Sequence, residues 1–150
     1  QNCAAAIGAG AAAGYLREIG LEEICARNSA LNVRLDKAAR QIKGVEIVGC
    51  PDPRRRTSIT PFNVRGADAH QVAVALDEFD GVMVRSGMHC AHYWFNRRKI
   101  PGCVRASLHF YNTEKDVEIF ADSLEKAAKI FGVLANSVAL AGIEKQGGVT

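Results

Sequence analysis

The chain has 150 residues, of which 48% are hydrophobic and 23% charged, and its formal net charge is +3. These values are typical of one globular domain with a hydrophobic core and argue against disorder. No apolar run approaches the ~20 residues of a transmembrane helix, and the net charge is too small to indicate nucleic-acid binding. The five cysteines are odd in number and unevenly spaced, so we expect a cytoplasmic protein with free thiols and no secretory signal.

The first 44 residues predict two helices. Residues 3–19 are rich in alanine and glycine, and glycine weakens an isolated helix, so tertiary contacts are expected to stabilise this one. The second helix runs from residue 21 to about 42 and carries one stripe of apolar or small side chains at helical spacing. Cys25 belongs to this stripe, so we expect it to be buried and inert.

Four short strands are predicted in the rest of the chain, at residues 45–48, 58–64, 82–85 and 103–110. The second strand contains Pro61, which has no N–H to donate to a neighbouring strand. It is therefore expected to be an edge strand or to be bulged at the proline.

Two further helices begin at capping sequences. Asp68, with a glutamine three residues later, predicts a helix over residues 69–79 whose apolar stripe includes Phe79. Thr113, with an aspartate three residues later, starts another helix, which Gly132 is expected to end.

These elements predict an α/β (α+β) open sandwich. We expect a small sheet, mostly antiparallel or mixed, with helices packed on it. Residues 1–132 form this domain, with residues 1–44 as its linking helices. Residues 133–150 follow as a C-terminal tail with a possible short helix.

The long connection over residues 86–102 is the candidate functional segment, because connections of this length in a compact domain are usually functional or disordered. It contains Cys90, beside His89 and close in sequence to several cations. A thiol is nucleophilic as the thiolate, which nearby positive charge favours. The alternative is a partly buried free thiol that contributes only to packing.

Arg105 is the second candidate residue. It lies on the polar face of the fourth predicted strand, where a guanidinium can bind a carboxylate through two parallel hydrogen bonds. The alternative is an ordinary solvated arginine.

A metal site is a weaker alternative. Four soft ligands lie within fifteen residues, but without a CxxC motif and in a crowded order, so we expect no metal: they are His89, Cys90, His92 and Cys103. The basic triplets at residues 54–56 and 97–99 are interpreted as solvated turns rather than nucleic-acid patches.

Two motifs resemble the C-terminal part of the cysteine desulfurases, in the Suf-type branch of the class-V, fold-type I pyridoxal-phosphate (PLP) enzymes. The first reads RSGMHCA over residues 85–91, and the second combines Arg105-Ala106-Ser107 with Tyr111-Asn112-Thr113. The step of fifteen residues from Cys90 to Arg105 also matches. The likeness extends over about residues 1–132, although Met88 replaces a frequent histidine.

The resemblance implies specific roles. Cys90 would take the sulfur of L-cysteine as a persulfide and release L-alanine, and the sulfur would pass to an acceptor or scaffold protein of iron–sulfur cluster assembly. Arg105 would bind the substrate carboxylate, with Arg85 and His89 in supporting roles. The intact enzyme would be a PLP-dependent homodimer of the cytoplasm that binds neither nucleic acid nor membrane.

The resemblance also implies that part of the enzyme is absent. None of the seven lysines has the Ser-x-His-Lys context of the lysine that binds PLP, so we expect no cofactor-binding residue here and an inactive isolated chain cut from a longer enzyme. Three alternatives remain: a class-V aminotransferase or selenocysteine lyase domain, a stand-alone binding or regulatory α/β module, and a metal-binding module.

Overall fold

The computed structural model describes the backbone of residues 2–146 and the side chains of residues 2–135. Nine main elements and a short 3₁₀ helix (Pro53–Arg55) are described. In chain order, the main elements are α1 (Cys3–Ile19), α2 (Leu21–Gln41), β1 (Val45–Ile47), β2 (Ile59–Val64), α3 (Ala69–Asp80), β3 (Arg85–Gly87), α4 (His92–Arg98), β4 (Cys103–Ser107) and α5 (Glu114–Gln146). Within residues 2–146, no helix combines the length and apolar character needed to cross a bilayer.

The four strands form one antiparallel sheet in the order β1-β2-β4-β3. One face of this sheet packs against α2, α3 and α5. Alternate residues of β2 and β4 point into that layer, and Phe62 meets Phe120 of α5 edge to face at 5.7 Å between ring centroids. The prediction of a small α+β sandwich with a mostly antiparallel sheet is confirmed.

α4 packs on part of the opposite face of the sheet. Phe95 of α4 is buried with Cys103 of β4 and Val48, and these three residues form a second, smaller core. The connection over residues 86–102 is therefore not a continuous loop, because a seven-residue helix occupies its centre.

β2 is an interior strand, so the expectation that Pro61 marks an edge or a bulge is wrong. Pro61 is opposite Arg105 of β4, and on its other side its carbonyl accepts a hydrogen bond from the Val48 N–H at 2.9 Å. The N–H and C=O of one residue in an antiparallel strand point the same way, so the missing N–H faces the β1 side. The proline therefore removes no hydrogen bond between β2 and β4. On the β1 side, the missing donor lies beyond the end of β1 at Ile47.

The boundaries of two strands differ from the prediction. The third strand is expected at residues 82–85, but β3 pairs only from Arg85 to Gly87. Gly81 ends α3 in a left-handed conformation, and the Val82 N–H still donates to the Leu76 carbonyl, which keeps this segment attached to the helix. β4 ends at Ser107 rather than at residue 110, because a turn follows in which the Asn112 N–H donates to the His109 carbonyl.

Both predicted capping boxes are confirmed. The Asp68 side chain accepts from the backbone of α3 while Gln71 bonds back to the Asp68 N–H. At the start of α5, Thr113 and Asp116 bond each other reciprocally. The expected end of α5 at Gly132 is wrong, since the helix continues to Gln146. One glycine costs a helix only about 1 kcal/mol, and a left-handed residue is what usually ends it.

Four residues of the predicted stripe of α2 are buried, namely Ile24, Leu31, Leu35 and Ala39, but Cys25 is exposed rather than buried. The buried face also includes two polar residues, Asn32 and Asp36. The Asn32 amide donates to the Pro53 carbonyl at 2.9 Å and accepts from Thr60 at 2.8 Å, while Asp36 forms a buried ion pair with Arg56. These contacts join α2 to the 3₁₀ segment and β2.

Two other predicted apolar contacts are not made. Phe79, in the last turn of α3, is 38% exposed. None of the residues of α1 is buried, and nothing packs within 4 Å of the positions where Gly8, Gly10 and Gly14 would carry a Cβ. The small residues of α1 are therefore not used for close packing within the described part of the chain.

Candidate functional site

Cys90 lies in a tight turn that connects β3 to α4. The turn spans Met88–Ala91 and is closed by a hydrogen bond of 2.8 Å from the Ala91 N–H to the Met88 carbonyl. Its two central residues, His89 and Cys90, have φ angles of 51° and 60°, as in a type I′ turn. Left-handed backbone costs a residue with a Cβ roughly 1–2 kcal/mol. The Cys90 side chain is exposed, so the fold presents this thiol to solvent on a strained backbone.

His89 anchors the turn to β4. Its Nε2 donates to the Cys103 carbonyl at 3.0 Å, and its ring lies 6.4 Å from that of Phe95. Burial lowers the pKa of His89, and the positive charges of Arg105 and Arg85 lower it further. The hydrogen bond to the Cys103 carbonyl acts in the opposite direction. The neutral tautomer protonated at Nε2 leaves the buried Nδ1 with a lone pair, and this atom has no hydrogen-bond partner in the described chain.

Arg85 and Arg105 form a cross-strand pair. They are directly opposite each other in the β3–β4 register, so both side chains leave the same face of the sheet. Arg85 is exposed and Arg105 is half-buried. The Arg105 Nε is buried and has no hydrogen-bond partner among the described residues. The pair can therefore supply free N–H donors and two positive charges to an anion.

Two of the other cysteines, Cys103 and Cys50, are less exposed than Cys90. Cys103 is 1% exposed, and burial raises its pKa to about 11, with Arg105 opposing the shift. It remains a thiol at neutral pH and packs in the smaller core. Cys50 is half-buried, with its Sγ 3.7 Å from the Asp52 carbonyl.

Three of the sequence-predicted residues lie close together, and the fourth, Cys90, is in the adjoining turn. Arg85 and Arg105 are opposed, His89 lies within electrostatic range of both, and Cys90 follows His89 in the turn. The four soft residues considered as zinc ligands do not assemble in this way. Among the described residues, no group of three or more potential metal ligands comes together.

One contribution to the site, and one contact on α4 outside it, are missed by the sequence reasoning. The Cys103 carbonyl holds His89, which no sequence pattern signals because it depends on the packing of the turn against β4. On α4, the Arg98 guanidinium lies 4.2 Å from the ring centroid of Trp94. The spacing of four residues between them is a helical signal that would have identified this contact.

Comparison with known proteins identifies the family. The family model described as aminotransferase class-V matches residues 1–120. Over 131 residues the chain is 37% identical to a probable cysteine desulfurase from Xylella fastidiosa, and over 130 residues it is 36% identical to one from Methanothermobacter thermautotrophicus. These alignments cover 87% and 85% of this chain, but 31% and 32% of the relatives. The chain therefore spans about a third of the length of the curated relatives it matches.

Solved structures agree with this assignment. The fold matches the apo structure of a cysteine desulfurase from Thermococcus onnurineus NA1 with a TM-score of 0.72 and 35% identity, over 77% of this chain and 28% of that one. It also matches the Escherichia coli cysteine desulfurase CsdA with a TM-score of 0.78 and 25% identity, over 87% of this chain and 31% of that one. The chain thus belongs to the class-V aminotransferase family.

Proposed function

We propose that this chain is the sulfur-accepting part of a cysteine desulfurase, and that Cys90 is its nucleophile. The observation that carries the proposal is the exposed thiol in a left-handed turn, at the end of the strands that carry two opposed arginines. A residue with a Cβ rarely adopts such a backbone, and strained positions of this kind cluster at functional sites. The relatives named cysteine desulfurase support the reaction class.

The proposed reaction transfers one sulfur atom. The Cys90 thiolate forms a new S–S bond with the sulfur of L-cysteine, whose C–S bond breaks. The carbon that loses sulfur gains a proton, which yields L-alanine and a persulfide on Cys90. Atoms and electrons balance without an external oxidant or reductant.

Arg105 is the proposed carboxylate-binding residue. Its unpartnered Nε and the neighbouring guanidinium nitrogens suit a hydrogen-bonded pair with a carboxylate, which is about twice as strong as a neutral hydrogen bond. Arg85, directly opposite, adds a second positive charge. His89 is a positioning residue, because its bond to the Cys103 carbonyl holds the turn that carries Cys90.

The family implies PLP dependence, but the residues of this chain do not fit covalent attachment of the cofactor. A lysine that forms a Schiff base is activated by desolvation. The six lysines with described side chains are all exposed, and two of them, Lys126 and Lys129, are held in ion pairs. We propose that the lysine that binds PLP belongs to the rest of a longer enzyme, a cytoplasmic homodimer that passes its sulfur to a partner protein.

The test is the conversion of L-cysteine to alanine by the intact enzyme in the presence of a small thiol. Cys90→Ala should reduce alanine formation to background, whereas Cys25→Ala, at another exposed thiol, should leave it unchanged. If Cys90→Ala retains amino-group transfer, the protein is an aminotransferase. Activity with selenocysteine but not with cysteine would indicate a lyase, and no activity in the unmodified enzyme would indicate a binding module.

A further inference from the structure

The segment around Cys90 is strongly asymmetric in charge. Residues 81–113 contain none of the 16 acidic residues of the chain. They contain five of its 19 lysines and arginines, and three of these are consecutive at the end of α4: Arg97, Arg98 and Lys99. Glu46 lines the same groove as Arg98, but it is paired with Arg65 at 3.1 Å. The surroundings of α4 therefore carry a local excess of positive charge.

These cations are free to contact a partner. All three are exposed, and in the part of the chain with described side chains none of them forms an ion pair. Tyr93 is 79% exposed and lies one helical turn before Arg97. We call Tyr93, Arg97, Arg98 and Lys99 the α4 surface. Exposed tyrosine and arginine together are typical of protein interfaces.

The α4 surface is fixed relative to Cys90. The Phe95 N–H donates to the Ala91 carbonyl, and the Ala91 N–H closes the turn that holds the thiol, so hydrogen bonding is continuous from the turn into the helix. Phe95 is 4% exposed and anchors α4 against β4. Whatever binds the α4 surface is therefore held at a defined position relative to the sulfur.

We propose that the α4 surface is the docking surface for an acidic protein that presents its own thiol to Cys90. The proposal rests on the proposed desulfurase function and identifies the chemistry of the sulfur acceptor. Residues 93–99 extend about 10 Å along the helix, which exceeds the footprint of a small thiol. An acidic protein surface would match the cations, and its apolar groups would contact Tyr93.

The step that follows docking is a balanced exchange. The acceptor thiolate attacks the outer sulfur of the persulfide on Cys90, and a new S–S bond forms on the acceptor. The original S–S bond breaks, and its electron pair remains on Cys90 as the thiolate. The acceptor leaves as a persulfide, and no external oxidant or reductant is needed.

The experiment uses the intact enzyme and two synthetic peptides, each with a single cysteine. One peptide carries aspartate and glutamate around the cysteine, and the other carries asparagine and glutamine at the same positions. Sulfur transfer to each peptide is measured by mass spectrometry, and alanine formation is measured in parallel with mercaptoethanol. We expect transfer to the acidic peptide to be at least about tenfold faster at low salt, and the preference to disappear at high salt.

The variant Arg97→Gln/Arg98→Gln/Lys99→Asn should lose the preference for the acidic peptide and keep alanine formation with mercaptoethanol. Asparagine replaces Lys99 because the φ at this position is 56°, and asparagine tolerates a positive φ better than most residues. The matched control Lys37→Gln/Lys43→Gln/Lys115→Gln removes the same charge from α2, the residues after it and α5, and should keep the preference. Equal transfer to both peptides by the unmodified enzyme would overturn the docking proposal. An equal loss of the preference for the acidic peptide in the two triple variants would also overturn it. So would stronger inhibition of sulfur transfer by poly(U) than by a competing acidic peptide. Absence of alanine formation in the unmodified enzyme would instead refute the desulfurase function.

Discussion

Arg85 and Arg105 are directly opposite each other on β3 and β4, with their side chains on one face of the sheet. Residues in this relationship have Cβ atoms about 4.5–5.5 Å apart. Like charges directly opposite each other on neighbouring strands are destabilising, and neither arginine forms an ion pair among the described residues. A bound carboxylate would relieve the repulsion, which is the physical reason to expect an anionic substrate group here.

Neutralising Arg85 should stabilise the free protein. Arg85→Gln removes the repulsion across the strands, so the free energy of unfolding should rise by roughly 0.2–1 kcal/mol at low salt. The gain should shrink at high salt, because both charges are accessible to screening. Urea denaturation at two salt concentrations measures both effects. A destabilised variant would show that Arg85 has an unrecognised partner.

Replacing Arg105 by lysine should weaken substrate binding without removing the charge. Lysine cannot form the two parallel hydrogen bonds of a guanidinium, so Arg105→Lys should raise the KM for L-cysteine by about tenfold or more, equivalent to about 1.4 kcal/mol. Arg65→Lys is the matched control, since that exposed arginine pairs with Glu46 at 3.1 Å. An unchanged KM in Arg105→Lys would assign the carboxylate to another residue.

The pH dependence of stability should reveal His89. Burial lowers the pKa of His89 in the folded protein, so the unfolded state binds more protons as the pH falls through the ordinary value of about 6.5. The stabilising effect of neutral His89 is complete above that pH and is lost below it, down to the lowered pKa. As the pH is lowered from about 8 to about 5, the free energy of unfolding should fall less steeply for His89→Gln than for the unmodified protein. Equal slopes, measured by urea denaturation, would contradict the assigned environment.

The backbone at Cys90 predicts a difference between two variants that both lack the thiol. Glycine adopts a φ of 60° without the cost that a Cβ imposes, although it loses more chain entropy on folding. Cys90→Gly should therefore be more stable than Cys90→Ala by about 0.5–1 kcal/mol. Thermal unfolding of the two proteins measures the difference. If Cys90→Ala is the more stable, the turn is not left-handed at this position.

Much of the fold follows from local patterns in the sequence. The capping sequences at Asp68 and Thr113 correctly predict where α3 and α5 begin, because a cap depends on residues three positions apart. Pro61 is misleading, because the cost of its missing N–H donor depends on where β1, the strand on that side, ends. Cys25 is misleading too, since the buried face of α2 includes Asn32, which bonds to a segment distant in sequence, and leaves Cys25 exposed.

The candidate site is predictable in part. The motif around Cys90 and its spacing from Arg105 single out the two residues as candidates, but the pairing of Arg105 with Arg85 requires the strand register. Because the apolar run before Arg85 favours a strand at residues 82–85, the strand is predicted too early in the chain, and the pairing of the two arginines is not foreseen. The left-handed turn and the bond from His89 to the Cys103 carbonyl arise from tertiary packing, which no local pattern encodes.

The most direct test of the central claim is to locate the sulfur. The intact enzyme is incubated with L-cysteine without a reductant, the free thiols are alkylated, and the peptides are analysed by mass spectrometry. The peptide containing Cys90 should gain one sulfur atom, and the peptides containing Cys25 and Cys50 should not. Alanine formation with the additional sulfur on another cysteine, or on none, would contradict that claim.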